Sequence, residues 1–279
     1  MNDNQKKETD DLQKSIEKLT FADDGMFQAV LHKPELCAEL VERLLHVQIA
    51  QIRYPKLEKK IAPYFTSKGV RLDVYLKDSD KILDIEMQSR TFSELGKRTR
   101  YYQSMIDIDA LMKGEKYSKL KDSYILFICK RDPFKDDKKR GFSMPCYTFK
   151  NVCLENSAVN LNDKALKVIY NASAYKKAED PKIRDFLRFI STNDPGEDDF
   201  SNRLSAMVEK LKVSDKFKKE FNAMNLHDSD VAEEAAQNKA IEIATKMLIK
   251  KRPTEEISEF TGLTPEEILD LQMSITVTA

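Results

Sequence analysis

Residues 69–88 read GVRLDVYLKDSDKILDIEMQ, two alternating runs separated by a short polar segment. With a side-chain period of two, Val70, Leu72, Val74 and Leu76 share one side of the first run, leaving Arg71, Asp73 and Tyr75 on the other. In the second run Leu83, Ile85 and Met87 lie on one side, and Asp84, Glu86 and Gln88 on the opposite one. Asp78, Ser79 and Asp80 supply turn residues between the runs, so the segment reads as an antiparallel hairpin. If the apolar faces are aligned, Asp73 comes beside Asp84, Glu86 and Gln88. Acids opposed across a strand pair destabilise a sheet. Water on a solvated face, helped by Arg71, Lys77 and Lys81, relieves the repulsion, and so does a divalent cation. Oxygen ligands without His or Cys suit Mg²⁺ or Mn²⁺. Periodicity alone favours the solvated face.

Outward from the hairpin, SYILFICK at 123–130 holds a continuous apolar run suited to a central strand over 124–129. Residues 47–53, 147–152 and 166–170 add shorter strand candidates. Apolar residues at helical spacing run from 25 to 45, interrupted at Pro34, and residues 93–112 read as a long helix with Ser93 as N-cap and Gly114 as stop. Beyond about residue 176 the chain turns strand-poor. Residues 181–191, 199–213, 215–224 and 229–251 read as amphipathic helices, and NDPGEDD at 193–199 as a loop. Near the end, 254–260 and 265–271 flank Thr261-Gly262-Leu263 with helix-turn-helix proportions, and TPEE at 264–267 is a capping box. A groove-reading helix brings Arg, Lys, Asn or Gln to base edges. This one brings Glu266, Glu267 and Asp270, so it reads as a packing or self-association unit. The expected organisation is a charged leader over 1–20, an α/β domain over 21–176 and a helical region over 177–279.

The 279 residues carry 47 Lys plus Arg against 47 Asp plus Glu, which excludes a uniformly basic coat protein and a strongly acidic disordered chain. No apolar run approaches the roughly 20 residues that cross a bilayer. The polar start, MNDNQKKETDD, lacks the apolar stretch of a secretory signal. Seven glycines form neither GxGxxG nor a P-loop. Cys37, Cys129, Cys146 and Cys153 show no CxxC spacing, and His32, His46 and His227 lie far apart. That pattern argues against zinc sites, disulfide scaffolds and Ser-His-Asp chemistry, and fits a reducing cytoplasm. Any catalysis here must run on carboxylates and amides.

The spacing of Asp73 and then Glu86-x-Gln88 resembles the PD-(D/E)XK phosphodiesterase signature. The chain is more specifically similar to the Rpn-type recombination-promoting nuclease/transposase family. The similarity rests on DDGMFQAVL at 23–31, RLDVY at 71–75, DIEMQ at 84–88, RTRYYQSMID at 98–107, LMKGEKYSKLKDSYILFICKRDPF at 111–134, YTFKNVC at 147–153 and the late EISEFTGLTPEEILDL. The resemblance implies a restriction-endonuclease-like mixed sheet flanked by helices, cutting DNA with Mg²⁺, or Mn²⁺ in its place. It assigns Asp73 and Glu86 as carboxylate metal ligands and the Met87 backbone carbonyl as a third oxygen. Gln88 stands where the superfamily signature has Lys, so it can orient water but brings no positive charge.

Candidates for that charge lie on the next helix, where Lys97 and Arg98 precede Tyr101 and Tyr102 by one turn. Arg98 and Tyr102 are candidate phosphate contacts, with Gln103 in support. Asp24 is a further candidate ligand from the first helix, although an N-cap role suits it better. Residues 113–121 and 130–140 are basic segments able to meet phosphates, weakened in the second case by Asp132, Asp136 and Asp137. Charge is segregated along the chain. Residues 97–140 hold 13 Lys and Arg against 7 acids, and residues 228–270 hold 5 against 11. The leading expectation is an Mg²⁺-dependent DNA endonuclease, with homo-oligomerisation through the helical tail. The competing expectations are a non-cleaving DNA-binding or interaction module and a nuclease toxin in phage defence.

Overall fold

The computed structural model describes residues 12–47, 56–61, 70–78, 80–89 and 94–277. They divide into two compact units, one extending to Phe217 and one from Lys218 onward. The last strand ends at Asn171, and the first unit continues through two further helices.

In the first unit, α1 (Asp24–Leu31) and α2 (Pro34–Leu45) precede β1 (Lys56–Ile61), β2 (Val70–Lys77) and β3 (Lys81–Gln88). Then follow α3 (Leu95–Ala110), β4 (Asp122–Cys129), β5 (Cys146–Phe149), β6 (Ala165–Asn171), α4 (Pro181–Thr192) and α5 (Asp199–Lys212). The strands form one mixed sheet in the order β1-β2-β3-β4-β6-β5. β2 and β3 are the antiparallel hairpin, closed by the Asp78 N–H donating to the Lys81 carbonyl at 2.9 Å. β3, β4 and β6 run parallel at the centre. Parallel strands are covered on both faces and so need apolar residues on both. Ile82–Met87 are accordingly all buried, and Ile125–Cys129 with them.

On one face α3 places Leu95, Tyr102, Met105 and Ile106 against Tyr75, Ile82, Ile125, Phe127 and Ile169. Helices α1, α4 and α5 are joined by an aromatic group in which Phe21 meets Phe27, Phe186 and Phe189, and Phe186 meets Phe200. α1 also lies against β2 and β3. Each fully buried aliphatic or aromatic side chain stabilises this packing by about 1.5–3 kcal/mol.

A polar lock ties α2 to the later helices. Arg43 Nη1 donates to both oxygens of Asp198, at 2.8 and 3.0 Å, and to the Lys182 carbonyl at 3.0 Å. Its guanidinium lies over the Phe200 ring, 4.6 Å from the centroid. Asp198 is also the N-cap of α5, accepting from Ser201. Removing one partner of a buried pair strands the other. Arg43→Ala is expected to cost about 2–4 kcal/mol, measured by urea unfolding, tempered by the bonds Asp198 keeps to Ser201.

In the second unit α6 (Asp215–Ile249) continues from the first, followed by α7 (Thr254–Thr261) and α8 (Pro265–Val277). Ala244, Ile257, Leu263 and Ile268 form its buried centre. Gly262 caps α7 in the left-handed region (φ 73°), where a side chain is strained. The capping box forms: Thr264 N–H donates to Glu267 Oε2 at 2.8 Å, and Glu267 N–H returns to Thr264 Oγ1 at 3.3 Å.

Several expectations are corrected. Residues 215–224 and 229–251 form one helix, because Asn225 to Asp228 contain neither Gly nor Pro to break it. β1 was not legible: KLEKKI offers too few apolar residues to show a strand period, as suits a Lys-rich edge strand. β5 stops at Phe149 rather than 152. α3 stops at Ala110, so Gly114 (φ 87°) serves a later turn instead of capping the helix. The strand expected at 47–53 lies almost wholly outside the described residues, and Ser93 lies outside them too. Among the described residues no helix is long and apolar enough to cross a membrane.

Candidate active site

The alternation of β3 puts Asp84 and Glu86 on the sheet face that also carries Ile82, under α3. Register places Asp84 between Tyr75 on β2 and Ile125 on β4, and Glu86 beside Phe127. This face is not solvated: Asp73, Asp84 and Glu86 are 9%, 0% and 3% exposed. The solvated-sheet reading of the acidic residues is therefore overturned.

The β2–β3 pairing runs from Lys77↔Ile82 to Val74↔Ile85. At the next position side chains take over from the ladder. The Asp73 N–H donates to Glu86 Oε1 at 2.9 Å, and the Met87 N–H donates to Asp73 Oδ2 at 3.2 Å. The two carboxylates are thus locked to each other's strand. Gln28, buried on α1, donates from Nε2 to Asp73 Oδ1 at 3.1 Å. Each carboxylate is oriented by amides instead of a surface lysine.

Positive charge arrives from α3. Arg98 Nη1 donates to Gln88 Oε1 at 2.8 Å, Nη2 donates to the Tyr102 hydroxyl at 2.9 Å, and Nη2 lies 3.8 Å from Glu86 Oε2. The guanidinium also faces the Phe127 and Tyr102 rings, at 5.7 and 5.4 Å from their centroids. Because a guanidinium only donates, Gln88 must turn its oxygen toward Arg98, which leaves its amide hydrogens to bind an oxygen elsewhere.

Burial, reinforced by the charge on Asp73, holds the Asp84 carboxyl well above the usual carboxylate range. Burial, then the charges of Asp84 and Asp73, does the same to Glu86. Both Asp84 oxygens are buried with no hydrogen-bond donor. Among the described residues no three His, Cys, Asp or Glu side chains converge as a ready-made metal-binding group. The chemistry of the donors nevertheless fits a hard divalent cation. Asp73 and Glu86 present carboxylate oxygens in a buried setting that is short of positive charge, and the orphaned Asp84 oxygens add to that deficit.

Other candidates fall elsewhere. Asp24 is exposed at the first position of α1, while Asp23 occupies the N-cap position, its carboxylate taken by Thr20. Gln28, one turn further, is the α1 residue that touches Asp73. Its signal was a lone polar residue inside the apolar run Met26 to Leu31. Gln103 does not support Arg98. It donates to Ser123 Oγ at 2.8 Å and Asp107 Oδ1 at 3.1 Å. Lys97 is exposed and pairs with Glu94 at 3.7 Å.

A family model described as PD-(D/E)XK nuclease family transposase matches residues 26–251. The chain belongs to this family. The match begins inside α1 and runs through the whole sheet and α6, so it spans Gln28, Asp73, Glu86, Gln88 and Arg98. No curated protein and no solved structure matches the chain.

Proposed function

We propose that this PD-(D/E)XK family member is a divalent-metal-dependent DNA endonuclease that hydrolyses phosphodiester bonds at the Asp73–Glu86 junction. The observation that carries the reading is the replacement of ladder bonds by the reciprocal Asp73–Glu86 and Asp73–Met87 contacts, with Arg98 and Gln88 alongside. Buried acids at a break in a sheet are costly for stability, and such cost is characteristic of functional sites.

Asp73, Glu86 and the Met87 carbonyl would hold Mg²⁺ or Mn²⁺. When bound, such an ion polarises a phosphoryl oxygen and makes hydroxide available near neutral pH. The chain's own residues do the rest. Gln28 and the Met87 N–H fix the Asp73 carboxylate before substrate arrives, so no reorganisation is needed during reaction. Arg98 supplies the fixed positive charge that Gln88 lacks. Its contacts with Gln88 and Tyr102 aim it at the edge of the acid cluster, where a phosphate gains negative charge in the transition state. Gln88, with its oxygen held by Arg98, offers N–H donors to a phosphate oxygen, and it cannot serve as a base.

Incubating supercoiled plasmid with the full chain and Mg²⁺ or Mn²⁺ is expected to give nicked or linear product. Asp73→Asn is expected to give none. Product formed equally by both proteins would refute the reading. Arg98→Gln is expected to lower the cleavage rate by about 10²–10³, the usual loss when one transition-state donor is removed, with Arg98→Lys recovering part of it. An unchanged rate would remove Arg98 from the site.

A further inference from the structure

Two segments concentrate exposed basic residues, 113–121 and 130–140, and the topology separates them. The first lies at the hairpin end of the sheet: Lys121 Nζ donates to the Asp78 carbonyl, and the Asp122 N–H to the Asp80 carbonyl. The second leaves β4 at the opposite end, where the Lys130 N–H donates to the Gln88 carbonyl at 3.0 Å. Glu86 is paired with Phe127, three residues from Lys130 and six from Lys121. At about 3.3 Å per residue these separations are roughly 10 and 20 Å. Both exceed the Debye length of about 8 Å at physiological salt, so neither segment acts through long-range attraction at Glu86. The second leaves the sheet at the Gln88 end, about half as far from Glu86 as the first, where it can meet phosphates directly.

The acids inside 130–140 weaken its basic character on paper, yet two of the three are used to build the loop. Asp132 accepts from the Tyr147 hydroxyl (2.9 Å), the Phe134 N–H (3.1 Å) and the Ser143 N–H (2.7 Å). Gly141 is required there, because a Cβ would lie 2.6 Å from Asp132 Oδ2. Phe134 anchors the loop edge-on to Tyr147, with ring centroids 4.8 Å apart. Asp136 is engaged by Arg140, whose Nε and backbone N–H both donate to it. A Lys135↔Gly141 bridge closes the tip. Arg131, Lys135, Lys138 and Lys139 are exposed, and they have no carboxylate partner among the described residues.

We infer that the loop over 130–140 is a pre-built clamp for the DNA phosphate backbone flanking the scissile phosphate, and that 113–121 takes no part. The inference rests on the nuclease reading for its substrate. A rigid base holding unpaired cations suits a polyanion with one charge per about 1.7 Å of axis, and it contacts phosphates without reading bases.

The test is fluorescence anisotropy of labelled duplex DNA against NaCl, in EDTA so that no strand is cut. The full chain is compared with a triple variant, Lys135→Gln, Lys138→Gln and Lys139→Asn. Asparagine is chosen at 139 because it tolerates the positive φ of 61° there. The control triple is Lys113→Gln, Lys116→Gln and Lys119→Gln, and thermal melts check folding. The loop triple is expected to reduce the slope of log K against log salt by about 2–3. The control is expected to leave the slope unchanged, and Lys→Arg at the three loop positions to preserve it. Equal losses from both triples, no loss from the loop triple, or no DNA binding by the full chain would each overturn the clamp. DNA binding that depends on the loop in a protein that never cuts would instead strike the nuclease reading and leave the clamp standing.

Discussion

Glu86→Gln is expected to abolish plasmid cleavage while leaving the fold intact or slightly stabilised. Glutamine keeps a side-chain oxygen able to accept the Asp73 N–H, now 2.9 Å from Glu86 Oε1, so the junction between β2 and β3 can persist. It removes one of the charges crowded beside Asp84 and Asp73, and burial already disfavours that charge. What it cannot replace is an anionic ligand for the cation. Losing several kcal/mol of metal-derived stabilisation corresponds to a rate loss of about 10³ or more. Plasmid nicking in Mn²⁺, paired with thermal melts in EDTA, separates the two effects. Loss of cleavage with no fall in melting temperature identifies a chemical role. Cleavage that survives, or a collapse in stability, would count against it.

Asp84→Asn is expected to stabilise the metal-free protein. Its carboxyl is fully buried with no donor for either oxygen, and the amide brings N–H groups toward the Glu86 carboxylate. Relieving a buried, unsatisfied acid is worth about 1–3 kcal/mol, or a rise of about 2–5 °C for a chain this size. The pH dependence has a definite sign. The folded-state value of Asp84 is raised, by burial first and Asp73 second, so the folded form holds its proton longer than the unfolded form. Wild-type stability from this group is complete below the unfolded value of about 4 and declines as pH climbs through the folded value. The asparagine variant does not titrate there, so its advantage in EDTA should widen with rising pH. An Asp84→Asn protein less stable than wild type at pH 8 would show that the ionised carboxylate is satisfied by a partner.

The hairpin was legible because its period is strict. That Asp73, Asp84, Glu86 and Gln88 share one side follows from alternation and turn chemistry, whereas their candidate roles came from the family resemblance. The central strand follows from the unbroken apolar run before Cys129. Burial of the acids was not legible. Alternation fixes which side a residue takes, not what covers that side, and α3 covers this one with Tyr102 and Met105. Gln28 was hidden for a similar reason, since its partner lies 45 residues away. Arg98 was visible only as a helix cation one turn from Tyr102, and only tertiary packing separates it from Lys97. In sequence the 130–140 loop looked the weaker of the two basic segments, because of Asp132, Asp136 and Asp137. Strand direction distinguishes them, through the single bond from Lys130 to Gln88.

Anomalous diffraction from Mn²⁺-soaked crystals shows whether Asp73 and Glu86 jointly hold a divalent cation, as proposed. A manganese peak is expected between the two carboxylates, at about 2.1–2.2 Å from an oxygen of each, and no peak in crystals of the Glu86→Gln protein. Wild-type crystals with no peak at that junction, or with manganese bound only elsewhere, would contradict the proposal.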